Sequence, residues 1–419
     1  MLAKKCYRCL GRLQPAIIVI LIFLYIYAET QQTISSTNCE TVQKSKNPVL
    51  DSFGLESSIK TVPYKGPFRA WPKWEREFPC FPSELNWKTI RVQRSPADTG
   101  IMFLREMKTG SSTVAGILLR LAHRYSKEIR DGTIEKPCRL RIDHSSARVM
   151  NYTHRKRSKS FLLSLLRDPT QRAISHYFHF KVSEDKEDPT DDNFQTYFRS
   201  HAQKWSNYYV KDLGMENYHL DSEGFFQQKE SNFKITSSSK DDTIVKNILA
   251  EYDFIAITER LDESLVVLKH LLNLDMEDIL YMSAKKHGSF TAGSPGNRCI
   301  YIIPSFRTEG MNEFFQSDYW RNFIRLDQRL YDAAVKSLDK TIDSLGRDII
   351  QQELESFLKA RKSAQELCDH RTIYRCNSKG TFVGAINSTC YLWDIGCGYT
   401  CLNDLTIGTS GEVSLRLKL

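Results

Sequence analysis

An α/β fold, a parallel sheet flanked by helices, is what the sequence predicts, and three features predict it. Short apolar runs precede segments of helical spacing: Ile101 to Leu104 before Val114 to Leu121, Phe161 to Leu166 before the segment at Ala173, and Phe254 to Ile257 before Leu261 to Leu272. Each run ends in a polar turn of the kind that carries chemistry in such folds. The two ends of the chain differ from this middle. An apolar stretch near the N-terminus predicts a transmembrane anchor, and five cysteines crowd the segment from Cys368 to Cys401.

The chain has 419 residues, 41% hydrophobic and 26% charged, which is ordinary for a globular protein and leaves room for a large core. Its net charge of +9 suits anionic small molecules or acidic glycans and is too diffuse to argue for nucleic acid. Lys4, Lys5, Arg8 and Arg12 precede the apolar run from Leu13 to Ala28. At about 1.5 Å per helical residue that run crosses a thin bilayer, with the basic flank cytoplasmic. Residues 1–12 therefore read as a cytoplasmic tail and 13–28 as a signal anchor. A cleaved signal peptide, with a site at Ile26-Tyr27-Ala28, is the competing reading. Residues 29–94 read as a stem, polar at first, with a Pro- and Trp-rich part from Pro67 to Trp87 expected to pack on the domain that follows.

Nine cysteines lie beyond the apolar run, an odd number, which singles out Cys39 as a candidate for a bridge between two chains in a homodimer. The two sequons, Asn151-Tyr152-Thr153 and Asn387-Ser388-Thr389, have meaning only in a lumenal chain. Residues 95–367 form the predicted main domain and 368–419 a cysteine-rich cap. Disulfides and zinc compete to explain the cap; the spacings lack a paired C-x-x-C, which favours disulfides.

The first chemical element is Lys108-Thr109-Gly110-Ser111-Ser112-Thr113, between a strand and a helix. Unpaired N–H groups at such a turn bind phosphate, and Lys108 adds a full charge. The Lys precedes the Gly, unlike G-x-x-x-x-G-K-[ST], so an ordinary ATPase fits poorly. A short strand through Leu140 to Asp143 delivers His144 at its end. The basic run from His154 to Lys159 reads as a solvated face. The second element is Leu166-Arg167-Asp168-Pro169 followed by Arg172 and Ser175. Pro169 suits a first helical turn. Arg167 at the strand end and Ser175 two turns on are placed to grip one phosphate, the Arg as a planar fork. His176 and His179 have metal-compatible spacing, but no third ligand is evident. Residues 311–345 read as one long amphipathic helix, broken at Gly346 and followed by another.

These motifs resemble those of sulfotransferases. The loop at Lys108 resembles the 5′-phosphosulfate loop of the Golgi enzymes, and the Arg167 to Ser175 element resembles their 3′-phosphate signature. Together with Asp143-His144, Glu259 to Leu265 and Leu326 to Tyr331, they make roughly Asp98 to Leu345 similar to the galactose 3-O-sulfotransferases, the family that includes galactosylceramide sulfotransferase. The resemblance implies a P-loop-like α/β fold, a type II Golgi membrane topology and transfer of sulfate from 3′-phosphoadenosine 5′-phosphosulfate (PAPS) to a sugar hydroxyl. It implies the 3-hydroxyl of galactose on a glycolipid or glycoprotein. On that basis Lys108, Thr109, Gly110, Ser111, Ser112, Thr113, Arg167 and Ser175 bind the donor. His144 is the base and Lys108 stabilises the leaving group. Glu106 is the second choice for the base, and no metal is required. A lumenal glycosyltransferase and a non-catalytic glycan-binding protein are the competing readings. The polar stretch 181–242 leaves the acceptor undefined.

Overall fold

A computed structural model describes residues 64–76, 99–128, 140–215, 237–283, 289–290, 299–383, 388–391, 394–408 and 412–415. All lie in the compact unit Val62–Leu419. The predicted anchor, the sequons' Asn387, and Cys39, Cys80 and Cys138 lie outside the described residues. Among the described residues no helix is long and apolar enough to cross a membrane.

Four strands form a wholly parallel sheet in the order β2-β1-β3-β4: β1 Gly100–Leu104, β2 Leu140–Asp143, β3 Ser160–Leu166 and β4 Phe254–Ile257. β1, β3 and β4 are buried along their whole length, as expected of strands covered on both faces. Helix α1 (Ser111–Glu128) follows β1, and α2 (Pro169–Tyr177) follows β3. Asp168 caps α2 by accepting the Gln171 N–H at 2.8 Å, and Pro169 occupies the first turn, where its missing N–H is harmless. A π-helical segment, Phe178–Glu184, continues α2.

Beyond it come α3 (Asp191–Ser200), α4 (Tyr208–Leu213) and α5 (Ser237–Glu251), then α6 (Leu261–Leu272) after β4. The stretch expected to be one helix over 311–345 is three: α7 (Glu309–Gln316), α8 (Asp318–Phe323) and α9 (Arg325–Leu345). Ser317 ends α7 and caps α8, its hydroxyl accepting the Trp320 N–H at 3.1 Å, and this local bond breaks the run. The expected break at Gly346 is present, at φ 98°, a left-handed value that suits glycine, before α10 (Arg347–Asp369).

Two expectations are settled by packing. Of the segment Pro67 to Trp87, the described residues 67–76 pack on the core as expected: Trp71 is 2% exposed, its backbone N–H donates to the Thr341 hydroxyl and its ring meets Phe254 edge-on. The basic run is not a simple solvated face. Arg155 is buried against Asp253 at 2.9 Å, and Arg157 pairs with Glu251, so both arginines fasten β3 to the start of β4.

Disulfides Cys368–Cys401, Cys390–Cys397 and Cys299–Cys376 staple the cap, and the last ties it to the main domain. Closing the 33-residue separation between Cys368 and Cys401 constrains the unfolded chain. Replacing both with alanine should lower the unfolding free energy by about 3–4 kcal/mol, read from denaturant melts, without loss of helix signal.

Candidate active site

Parallel pairing decides where the polar turns meet. In register, Leu104 lies beside Asp143 of β2 and Ser164 of β3, and Leu166 beside Ile257 of β4. All four strands therefore end on one edge, and the residues just past them share it: Arg105 to Gly110, His144, Arg167 and Thr258. The chain steps from β1 outward to β2 and then back across to β3. The β1–β3 boundary is thus the switch point where α/β sheets open a crevice.

The loop after β1 is anchored from beneath. The Glu106 carbonyl accepts the Thr109 hydroxyl at 3.0 Å and the Ser111 hydroxyl at 2.9 Å. Lys108 sits at φ 66°, costly for a residue with a side chain, and Gly110 at φ 76°. The Thr258 hydroxyl lies 2.7 Å from the Thr109 carbonyl and 2.8 Å from the Leu166 carbonyl, joining the loop to the end of β3. Arg167 Nη1 reaches the Lys108 carbonyl at 3.4 Å. The two predicted phosphate elements thus touch. Gly110 is exposed and Lys108 partly so, whereas Thr109 is fully buried and Ser111 nearly so. The hydroxyls of Thr109 and Ser111 are therefore turned inward, and Thr109, at 0% exposure, offers a ligand no open surface. Ser112 Oγ accepts from Arg105 Nη2 at 3.1 Å, and the Thr113 N–H is committed to the Gly110 carbonyl at 2.9 Å.

His144 is exposed, with Nδ1 2.7 Å from the Arg105 carbonyl. A carbonyl only accepts, so Nδ1 carries the hydrogen and Nε2 is the ring's acceptor in the neutral form. That is the tautomer a general base needs.

Arg167 is held by a residue the sequence reading gave no role. The Tyr209 hydroxyl donates to the Arg167 carbonyl at 2.8 Å and accepts its N–H at 3.2 Å. Glu259 is a second such residue. It accepts the Asp168 N–H at 2.9 Å and the Tyr331 hydroxyl at 3.0 Å, and burial raises its carboxyl above the usual range. Burial also raises Asp168, against its bond to Gln171 and the nearby Arg307. Ser175 is partly exposed on α2, while Arg172 and Tyr177 on the same helix are buried and cannot meet a ligand with it. His176 is buried beside the Trp205 ring and stays neutral, held well below the usual imidazole range by burial and then by Arg172. Among the described residues no three His, Cys, Asp or Glu side chains gather as a metal site. Glu106, the second choice for the base, is 0% exposed and cannot reach an acceptor hydroxyl.

A narrow cleft begins at Ser112 and Thr113 and runs along α1. Its far wall is Tyr281, Met282 and the cap residues Gly396, Cys397 and Tyr399. Here Gly116 meets Gly396 backbone to backbone: a side-chain carbon on Gly116 would lie 2.7 Å from the Gly396 Cα.

A strand-edge loop carrying Lys108, a strand-end His with Nε2 as its acceptor and a second strand-end turn led by Arg167 fit a carbohydrate sulfotransferase, and the comparisons agree on that class. The family model described as galactose-3-O-sulfotransferase matches residues 139–375, more than half of the chain, and the chain belongs to that family. It is also similar to galactose-3-O-sulfotransferase 2 of Sus scrofa, 23% identical over 308 residues, covering 65% of this chain and 69% of the relative. The matched model begins after the loop at Lys108, so that loop rests on its own geometry.

Tyr209→Phe removes the hydroxyl that ties both backbone polar groups of Arg167. It should lower stability by about 0.5–1.5 kcal/mol in chemical denaturation and leave the fold intact.

Proposed function

We propose that the protein transfers the sulfuryl group of PAPS to a sugar hydroxyl, the 3-hydroxyl of galactose on a glycolipid or glycoprotein. The observation that carries this reading is the gathering of His144, the Lys108 loop and Arg167 on one sheet edge at the switch point.

The donor's 5′-phosphate sits on the backbone N–H groups at the start of α1, with Lys108 beside the oxygen that bridges phosphorus and sulfur. Its 3′-phosphate lies on the Arg167 fork and the Ser175 hydroxyl, which selects PAPS over nucleotides lacking that group. The acceptor oxygen forms a bond to sulfur as the bond from sulfur to the bridging oxygen breaks, in line. The hydroxyl proton passes to His144 Nε2, and the Arg105 carbonyl holds the resulting imidazolium through Nδ1–H. Charge gathers on the leaving 5′-phosphate of 3′-phosphoadenosine 5′-phosphate, where Lys108 and the loop stabilise it. No step needs a metal.

The same reading places the chain in the Golgi membrane as a single-pass type II protein with a lumenal catalytic domain. The apolar run after a basic flank supports it, and the three disulfides among the described residues suit an oxidising compartment.

The test uses radiolabelled PAPS and a panel of galactosides, glycolipids and glycosaminoglycans with the full-length chain. Label should appear on a terminal galactoside. Lys108→Ala should reduce turnover by about 100- to 1,000-fold. His144→Ala should reduce it by about 100-fold or more with little change in donor affinity. Full turnover in Lys108→Ala removes the donor site from this loop.

A further inference from the structure

Glu106 is the buried ionisable group that the transfer step does not use. It is 0% exposed, neither carboxyl oxygen has a hydrogen-bond partner, and its own carbonyl anchors the phosphate loop. Around it lie Arg172 on α2, Tyr208, Tyr209 and Asp212 on α4, Asp327 on α9, and Tyr252 just before β4. Arg172 is 2% exposed, its guanidinium 4.3 Å from the Tyr208 ring centre, and its Nε and Nη1 are also without partners. Lys211 adds a second cation facing Asp212 and Asp327.

Two cations and three carboxyls balance when one carboxyl keeps its proton. Asp327 has a strong reason to be charged: its carboxylate accepts the Val210 N–H at 3.1 Å. Asp212 lies beside both Arg172 and Lys211. The Tyr208 hydroxyl is the one side-chain donor that approaches the Glu106 carboxyl, and it does not close a well-formed bond to either oxygen; a buried carboxylate so poorly satisfied costs several times what a neutral carboxyl does. An anion there would also lie directly beneath a loop whose task is to hold a phosphate, and would oppose Lys108.

Resting on the donor reading above, we infer that Glu106 is a positioning residue that works as a neutral carboxyl, packed beside Arg172 and Tyr208 beneath the phosphate loop. Its ionisation then weakens the hold on the 5′-phosphate. The sign follows from burial, which raises the Glu106 carboxyl well above the usual range. As pH climbs through that raised value a negative charge appears under the loop and donor affinity falls. Below it the site is intact. Folding shows the same sign: the folded chain holds this proton longer than the unfolded one, so stability falls as pH rises from the unfolded carboxylate range.

The experiment measures binding of 3′-phosphoadenosine 5′-phosphate to the full-length chain by calorimetry from about pH 6 to about pH 9. Wild type should bind, and bind less well at the alkaline end. Glu106→Gln, a neutral isostere, should lose that alkaline decline, so that the two proteins diverge by about tenfold at high pH. Glu106→Ala should weaken binding about tenfold at low pH, with KM for the donor rising more than kcat falls, and Gln should recover most of that loss. Parallel pH profiles for wild type and Glu106→Gln would overturn the inference, and so would wild-type affinity in Glu106→Ala. Should the alanine variant not fold, the Gln comparison alone decides. If wild type binds no 3′-phosphoadenosine 5′-phosphate at any pH, the donor reading fails, and this inference fails with it.

Discussion

Everything at this site depends on β1 being paired in parallel on both sides. That pairing, through β2 and β3, makes the ends of three strands coincide, and β4 extends the edge by one more. A parallel sheet needs a long crossover for each added strand. Residues that share the edge are therefore far apart in sequence, and only the hydrogen-bond register makes them neighbours. The Thr258 hydroxyl shows the result in one atom, lying between the carbonyls of Thr109 and Leu166. The loop can then tolerate Lys108 at a positive φ, because its carbonyls and hydroxyls are already committed on the protein side.

Below the edge the structure changes character. Arg172, Tyr208, Tyr209, Asp212 and Asp327 bring charge and hydroxyls into a region that is otherwise aromatic and aliphatic. Burial raises Asp327 to about 6, yet its bond to Val210 and the nearby Arg172 favour the charged form. Helix α4 is the element these groups share, and it also touches the active edge twice. Tyr209 holds the Arg167 peptide, and the Asp212 carbonyl accepts the Ala147 N–H at 2.7 Å, just past His144. The turn that carries Arg167 and the turn that follows His144 are thus braced by one short helix.

How much of this the sequence revealed follows from the range of the interactions involved. The buried strands were legible because each is an apolar run bounded by turn residues. The Asp168 cap and Pro169 were legible because capping is local. Lys108, His144 and Arg167 could be placed at strand ends for the same reason. Nothing local gives Tyr209, Thr258 or Glu259 a role at the site: their partners lie far along the chain, and their residue types are common on surfaces. The position of Glu259 just past a predicted strand was the available signal. The helical period of 311–345 concealed two breaks, since Ser317 and Ile324 interrupt the helix without interrupting the apolar stripe. Arg155 looked solvated because its neighbours in sequence are charged, while its ion-pair partner, Asp253, lies far along the chain. The cap's disulfides were expected, but the bond from Cys376 back to Cys299 joins segments that no spacing rule connects.

The glycine-to-glycine contact between Gly116 and Gly396 has a consequence for biogenesis. Helix α1 leaves the ribosome early, while the cap segment that walls its cleft emerges only after the whole sheet has been made. Two of the three cap disulfides, Cys390–Cys397 and Cys368–Cys401, close from that late segment. The wall beside the Lys108 loop therefore comes from a segment made after the sheet and pinned by those two bonds, so the cleft joins an early part of the chain to a late one.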